Sequence, residues 1–230
     1  MMPIAPPPDC PLCPRLVEFR EQNRKQFPGF FNNPVPAFGA LDAELLVVGL
    51  APGLKGANAT GRPFTGDYAG DILFPALLKA GFAKGHYISP RGETISGAYR
   101  DGLSLINCRI SNAVRCVPQA NKPEPSEIKN CNAFLRAEMA AMERLKVVLS
   151  LGQVSHNAVL KALGMKVSAA KFAHGAVHHF TSQTTNHEPR TTILMNSYHT
   201  SRYNMNVGTL TVAMFDGIIA QAKALIETSR

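Results

Sequence analysis

The sequence contains no tryptophan, only 5 cysteines among 230 residues, and fewer acidic than basic side chains. Without tryptophan, any aromatic stacking on a planar ligand falls to Phe, Tyr or His. No stretch approaches the roughly 20 apolar residues of a membrane-spanning helix. The first residues, MMPIAPPPDC, lack the charged and apolar regions of a secretory signal peptide. These absences argue against a membrane protein and predict a soluble, cytoplasmic one.

The composition is that of a chain that folds around a core. Hydrophobic residues make up 45% and charged residues 17% of the chain, and its length predicts one domain over residues 1–230. The net charge of +8 would attract polyanions, although ordinary variation also produces such a charge. Nucleic acid is therefore a candidate partner, and the charge alone does not decide for it.

Short apolar runs alternate with helical patterns along the chain. Strands are predicted at residues 44–50, within 104–116, at 146–152 and at 191–199. Helices are predicted at residues 15–26, 68–80, 123–145, 154–163 and 208–227, with irregular segments at 84–102 and 165–190. This alternation predicts an α/β fold, a three-layer α/β/α sandwich with parallel strands.

Motif-like segments follow three of the predicted strands, after Leu50, Ile110 and Met195. Ligands of open α/β sheets bind beyond the carboxyl ends of the strands. The loop after the first strand begins with GLAPG at residues 49–53 and continues to TGRPFTGD at residues 60–67. It is neither a Walker A loop nor a GxGxxG motif, because the required lysine and glycine spacings are missing.

Two side chains of this loop are open to two interpretations each. Phe64 could pack into the core or present its face to a planar base. Asp67 directly precedes a predicted helix, where an aspartate commonly serves as the N-cap. Taken in isolation, capping is the simpler role for Asp67.

Four of the five cysteines form a set with metal-ligand spacing. Cys10 and Cys13 make a CxxC pair, and Cys116 and Cys131 lie on either side of a proline-rich loop. A group bound by these four would tie the N-terminal arm to the domain. Spacing alone does not choose between zinc and an iron–sulfur cluster, or exclude unrelated buried cysteines. Cys108, inside a predicted strand, is expected to be an inert core thiol.

These segments together resemble the uracil-DNA glycosylase superfamily. The resemblance rests on GLAPG and TGRPFTGD, on ISNAVRCVP at residues 110–118, on NSYHTSR at residues 196–202, and on the four cysteines. It covers roughly residues 10 to 215 and is strongest to the iron–sulfur members of family 5. It implies a four-stranded parallel sheet and a structural [4Fe–4S] cluster on Cys10, Cys13, Cys116 and Cys131.

The resemblance also implies an activity and roles for individual residues. The enzyme would act as a monomer on DNA, flip a damaged nucleotide into a pocket and hydrolyse its N-glycosidic bond. His199 would stabilise the departing base, Asn112 would pair with its edge, and Phe64 would stack on it. The pocket would be completed by the backbone-rich segment Gly49, Leu50, Ala51, Pro52 and Gly53. Ser201, Arg202 and Asn204 would contact DNA.

Two positions depart from related patterns. Family 4 members carry a glutamate where this chain has Leu50. Another acid would therefore have to position the attacking water, and Asp67 is the first candidate and Asp71 the second. The apolar Leu50 predicts a broad substrate range that includes uracil, hypoxanthine and xanthine. Thr200 stands where relatives usually have proline, and this substitution leaves the rigidity of the loop in question.

Three alternatives remain at this point. The chain could be a uracil-specific enzyme like those of family 4, which Leu50 disfavours. It could be a non-catalytic iron–sulfur DNA-binding protein, which would have no use for His199 and Asp67. It could be a nucleotide-binding α/β enzyme, which the missing phosphate-binding lysine disfavours.

Overall fold

A computed structural model describes residues 3–90, 99–183 and 189–228 of the chain. The helices are α1 (Pro14–Gln26), α2 (Ala57–Thr60), α3 (Tyr68–Ala80), α4 (Pro125–Ala141), α5 (Gln153–Ala162), α6 (Arg202–Asn206) and α7 (Val212–Thr228). The strands are β1 (Leu45–Gly49), β2 (Ala83–Lys84), β3 (Ser104–Leu105), β4 (Cys108–Asn112), β5 (Val147–Leu151), β6 (Val177–Gln183) and β7 (Pro189–Ser197). Residues 91–98, part of the predicted irregular segment 84–102, lie outside the described residues.

The main sheet has five strands in the order β4-β1-β5-β7-β6. The first four are mutually parallel, which confirms the predicted parallel sheet. The fifth, β6, pairs antiparallel with β7 and was not predicted, so the four-strand count is too low by one. Strands β2 and β3 form a small antiparallel pair of their own.

The predicted three-layer arrangement is confirmed by the two faces of the sheet. Along β1, Leu45 and Val47 point into one core cluster with α3 and α7, while Leu46 and Val48 point into another with α4 and α5. Because both faces are covered by helices, these strands are apolar throughout and do not alternate with polar residues. The same burial explains why the short apolar runs were recognisable in the sequence.

Helix ends follow the sequence signals where those signals are strong. Helix α3 spans Tyr68–Ala80 and ends at Gly81, which adopts the left-handed conformation that favours glycine. Helix α4 is shorter than predicted, because its glutamate capping box begins the helix at Pro125 and the chain leaves it at Met142.

The expectation that residues 165–190 are irregular is wrong for β6. The VHHFTSQ sequence of β6 lacks a continuous apolar run, because β6 is an edge strand whose described side chains are partly or fully exposed to solvent. Its pairing with β7, from Val177 opposite Met195 onwards, is a tertiary contact that a local pattern does not reveal. Residues 184–188 lie outside the described part of the chain.

The N-terminal arm packs against the helical layer on the α4 side. Leu16 of α1 joins Val114, Phe134, Cys10 and Cys131 in a small apolar cluster of its own. Within the described residues, no helix has the length and apolar character needed to cross a membrane.

Candidate active site

A cavity of about 540 Å³ opens where the parallel strands end. It is lined by Leu50, Ala51, Gly53, Phe64, Asp67, Tyr68, Ala69, Asn112, Asn121, His199, Ser201 and Arg202. The loops after β1, β4 and β7 all contribute, as the sheet topology predicts. The structure therefore brings together Phe64, Asp67, Asn112 and His199, residues that lie far apart in the sequence.

Close approach of backbone and side chains shapes the floor of the cavity. Gly49 ends β1 beside Asn112, which ends the neighbouring strand β4. A Cβ atom on Gly49 would lie 2.5 Å from Oδ1 of Asn112, so the packing here requires glycine. Asn112 itself is buried and lines the cavity.

Phe64 is held in an unusual backbone conformation. Its φ of 61° lies in the left-handed region, which is rare for a bulky residue. Its carbonyl packs against Gly70, where a Cβ atom would lie only 1.9 Å from the Phe64 oxygen. The ring lines the cavity and lies 6.2 Å from the His199 ring at an interplanar angle of 24°. The structure combines the two interpretations, because Phe64 is buried in the core cluster of α3 and α7 and also lines the cavity.

Arg62 supports this turn and was missed by the sequence analysis. Its guanidinium donates to both carboxylate oxygens of Asp101, each at 2.8 Å, and its Nε donates to Thr65 Oγ1 at 2.6 Å. The ring centroids of Phe38, Phe74 and Tyr99 lie 5.2–5.3 Å from its Cζ atom. Asp101 is distant in sequence and in no motif, so no local signal pairs it with Arg62.

Asp67 occupies the N-cap position of α3, but its carboxylate does not cap that helix. The carboxylate turns towards the loop after β1, where it accepts a hydrogen bond from the Ala57 backbone N–H at 3.4 Å. Burial raises the pKa of Asp67 above its ordinary value, while the N–H groups of Ala57 and Gly53 act in the opposite direction. The simple capping interpretation is therefore wrong, and the carboxylate lines the cavity.

Asp71, the fallback acid, lies one turn further along α3. It accepts a hydrogen bond from the Tyr87 hydroxyl at 3.0 Å, and it is not among the residues that line the cavity. The geometry therefore favours Asp67 over Asp71 as the acid that faces a ligand.

His199 follows β7 and faces Phe64 across the cavity wall. Burial lowers the pKa of His199 to about 4, so its imidazole is neutral near pH 7. A neutral imidazole carries one N–H donor and one acceptor nitrogen, so it can donate a hydrogen bond to a carbonyl oxygen while it remains uncharged. The Asn204 side chain donates to the His199 carbonyl at 2.8 Å and fixes the backbone there.

Thr200, which stands where relatives usually have proline, restrains its loop through a side-chain hydrogen bond. Its side chain is fully buried, and its hydroxyl donates to the Ala69 carbonyl at 3.3 Å. This hydrogen bond ties the loop after β7 to the first turn of α3. A side-chain contact thus restrains the loop where a proline ring would have restrained φ.

The three predicted DNA-contact residues have different surroundings. Ser201 caps α6 by accepting from the Asn204 N–H at 3.3 Å, and the Asn204 side chain points inwards. Arg202 is exposed, with its guanidinium 5.4 Å from the centroid of the Tyr68 ring at the cavity. Tyr203, which the sequence analysis did not single out, is 73% exposed.

A buried charge network supports the end of β4. The Glu138 carboxylate accepts from Arg109 Nε at 2.7 Å, from Ser111 Oγ at 2.8 Å and from Arg115. Arg115 also donates from Nε to the Asn112 carbonyl at 3.1 Å. The network therefore connects α4 directly to the backbone of a residue on the cavity floor.

The four predicted cluster cysteines gather at one place. Cys10, Cys13, Cys116 and Cys131 line a second, small cavity between the arm, the end of β4 and α4. All are free thiols, and Cys108 is separate, buried in the core beneath α3. The backbone N–H of Arg115 donates to Cys131 Sγ at 3.3 Å, and Asn130 Nδ2 donates to Cys13 Sγ at 3.8 Å.

Sequence comparisons identify the family of the chain. The family model described as uracil DNA glycosylase superfamily matches residues 36–223. A type-5 uracil-DNA glycosylase of Thermus thermophilus is 39% identical over 221 residues, covering 94% of this chain and 93% of that protein. One of Pyrobaculum aerophilum is 36% identical, covering 94% and 88%. A type-4 uracil-DNA glycosylase of Saccharolobus solfataricus is 29% identical, covering 61% and 55%.

Proposed function

The chain belongs to the uracil DNA glycosylase superfamily, and from that premise we propose that it hydrolyses the N-glycosidic bond of uracil in DNA and so initiates base-excision repair. We propose further that it removes other deaminated bases, hypoxanthine and xanthine among them. The observation that carries the proposal is the convergence of Phe64, Asp67, Asn112 and His199 on one cavity at the strand ends.

The cavity suits a nucleotide that has left the duplex. A glycosylase reaches its bond by extruding the target nucleotide, which costs least for a mispaired base. Phe64 offers a face on which the base stacks, and the Asn112 amide offers a donor and an acceptor to the base edge. The neutral His199 donates a hydrogen bond to the base oxygen on which negative charge develops as the bond breaks.

Asp67 acts on the sugar and on the attacking water. The sugar becomes oxocarbenium-like as the base departs, and a carboxylate nearby stabilises that positive charge. The same carboxylate accepts a proton from the attacking water. Its raised pKa makes it a better proton acceptor than an ordinary surface aspartate, as long as it stays ionised at working pH.

The proposed breadth of substrate depends on the apolar lining beside the base. Leu50 and Ala51 line the cavity, and Leu50 stands where a family 4 enzyme has a glutamate. Apolar side chains make no directional demand on the base edge, so they discriminate weakly between bases. We therefore include deaminated purines among the substrates.

We also propose a [4Fe–4S] cluster on Cys10, Cys13, Cys116 and Cys131. The residues fit such a group, since the four cysteines line one cavity and two of them, Cys131 and Cys13, accept hydrogen bonds from N–H donors, as cluster sulfurs commonly do. Among the described residues, no group of three or more potential ligands is arranged for a single metal ion, and the choice of a cluster over zinc rests on the resemblance to the iron–sulfur members of family 5. Bound there, the cluster would cross-link the arm to the domain.

A panel of duplexes tests the activity and its breadth together. Each carries uracil, hypoxanthine, xanthine or thymine opposite each normal partner, and base release is measured with purified enzyme. Release of uracil and of the deaminated purines is the expected result. Release of uracil alone would refute the breadth, and DNA binding without any release would favour a non-catalytic protein.

Asp67→Asn tests the mechanism, with Asp71→Asn as its matched control. The first change should slow single-turnover base release by about 10²- to 10⁴-fold, the range for loss of a general acid–base group. DNA binding should persist, since the amide has nearly the same shape. A rate near wild type in Asp67→Asn would move the role to Asp71 or to water alone.

A further inference from the structure

The cavity between the four cysteines contains a charged side chain that takes no part in the proposed reaction. Cys10, Cys13, Cys116 and Cys131 line this cavity, and Arg20 of α1 lines it with them. Among the described residues that line it, Arg20 alone has a charged side chain, and those other than the cysteines are apolar. A guanidinium therefore lies in the same small space as the four thiols.

Arg20 is buried and lacks an anionic partner of its own. Only 4% of the residue is exposed, and its Nη1 donates to the Cys10 carbonyl at 3.3 Å. Its Nε atom is buried without a hydrogen-bond partner in the described part of the chain. Glu21 Oε1 lies 3.8 Å from Nε, too far to accept a hydrogen bond, and the Glu21 side chain is half-exposed. Since a buried charge is normally paired, a further partner is expected beside Nε.

Helix α4, which forms one wall of the cavity, has two buried carboxylates, and both are paired with other cations. Glu127 accepts from Arg15 at both oxygens, at 2.8 and 2.6 Å. Glu138 accepts from Arg115. Neither carboxylate is paired with Arg20, so the cysteine sulfurs are the groups beside Arg20 that can carry negative charge.

Thiolate ligands would supply the negative charge that Arg20 lacks. Four thiolates outweigh the positive charge of a [4Fe–4S] core, so a cluster held by them is an anion overall. Burial raises the pKa of the Cys116 thiol to about 12, and the Arg20 guanidinium acts in the opposite direction. Positive charge and N–H donors beside the sulfurs stabilise a cluster and tune its reduction potential.

We propose that Arg20 is the counter-cation of the cluster and that its Nε–H donates to one of the cysteine or cluster sulfurs. The inference rests on the cluster proposed above, and it adds a residue beyond the four ligands. Because Arg20 also donates to the Cys10 carbonyl, it ties this part of the N-terminal arm to α1. Arg20 is a positioning residue for the cluster, and it does not line the cavity that would receive the base.

Release of iron from the purified holoprotein to a chelator tests this role. Arg20→Gln removes the charge but keeps an N–H donor, and it should speed iron release about tenfold or more, the scale on which loss of an outer-shell partner weakens metal binding. Arg20→Lys keeps the charge but loses the planar donor group, so its rate should lie between those of wild type and Arg20→Gln. Lys25→Gln makes the same charge change at an exposed position of α1 and serves as the matched control, with release expected at the wild-type rate.

The midpoint potential of the cluster separates an electrostatic role from a merely structural one. Reduction adds negative charge to the site, and a neighbouring cation favours the reduced form. Arg20→Gln should therefore shift the midpoint potential to more negative values, Arg20→Lys should shift it less, and Lys25→Gln should leave it near wild type. Potentiometric titration followed by electron paramagnetic resonance measures the shift, and far-ultraviolet circular dichroism checks that each variant is folded.

The possible outcomes are distinct. Iron release and a midpoint potential equal to wild type in Arg20→Gln would overturn the role of counter-cation and leave the cluster in place. Equal effects of Arg20→Gln and Arg20→Lys would also overturn it, because charge would then make no difference. If the wild-type protein held no iron or sulfide, the cluster and this inference would fail together, and base release from the duplex panel would still decide the glycosylase activity.

Discussion

A Cβ atom on Gly49 would lie 2.5 Å from Cζ of Phe64, so the strand backbone and the aromatic wall of the cavity are in direct contact. Gly49→Ala should therefore displace the Phe64 ring, since alanine is otherwise acceptable in a strand. We expect a large loss of base release, by roughly 10-fold or more, because stacking contributes on the order of 1–3 kcal/mol. Single-turnover kinetics on a uracil duplex measures it.

Gly217→Ala is the control for that substitution. Gly217 lies in α7 with open space around its Cα, and alanine favours helix there. This variant should be as active as wild type and at least as stable. If Gly49→Ala kept full activity, the ring would have to be free to move, and the close packing would have no part in catalysis.

The pH dependence of stability should report the burial of His199. Its pKa falls from 6.5 to about 4 in the folded protein, so the unfolded chain takes up a proton first as the pH falls. The contribution of His199 to the free energy of unfolding is fully present above pH 6.5 and is lost as the pH falls towards 4. Urea titrations at pH 7 and pH 4.5 measure the difference.

His199→Asn supplies the comparison, because asparagine does not titrate. The variant should lose less stability than wild type between those two pH values. Parallel losses in the two proteins would mean that the His199 imidazole is as accessible to protons in the folded state as in the unfolded chain.

Removal of Glu138 should destabilise the whole fold. Glu138 is completely buried and balances Arg109 and Arg115, so Glu138→Ala leaves two buried cations without their carboxylate. Breaking a buried pair typically costs about 3–5 kcal/mol, and urea denaturation measures the change. By contrast, Asp216→Asn breaks an exposed pair with Lys79 and should cost about 1 kcal/mol or less. Similar losses in both variants would contradict the role given to the network.

The cysteine set can be tested by paired substitutions. We expect iron and acid-labile sulfide to copurify with the protein if it holds the proposed cluster, and Cys13→Ser should lower both, because a thiolate ligand is lost. Cys108→Ser changes a core thiol that lies outside the second cavity, and it should retain both. Iron retention in Cys13→Ser equal to that in Cys108→Ser would remove Cys13 from the proposed ligand set.

The sequence predicted those parts of the fold that leave a local pattern, such as an apolar run or a glycine at a helix end. The doubly buried strands β1 and β5 are apolar throughout, and Gly81 marks the end of α3, so local patterns sufficed. Strand β6 carries no such signal, because its place depends on pairing with β7.

The same distinction holds at the active site. Phe64, Asp67, Asn112 and His199 lie in motifs at strand ends, where topology alone brings them together. The support that Arg62 receives from Asp101 and the presence of Asn121 at the cavity both depend on contacts between distant segments. Such contacts leave no periodicity or spacing in the sequence.

The outer edge of β4 has a consequence for the behaviour of the protein in concentrated solution. Phe38 pairs with Ile110 through two backbone hydrogen bonds, of 2.9 and 2.7 Å, on the side of β4 away from β1. An uncovered strand edge is a template for pairing with another chain. By occupying the middle of that edge, Phe38 leaves little of it for edge-to-edge self-association, and so lowers the risk of aggregation at the strand that carries Asn112.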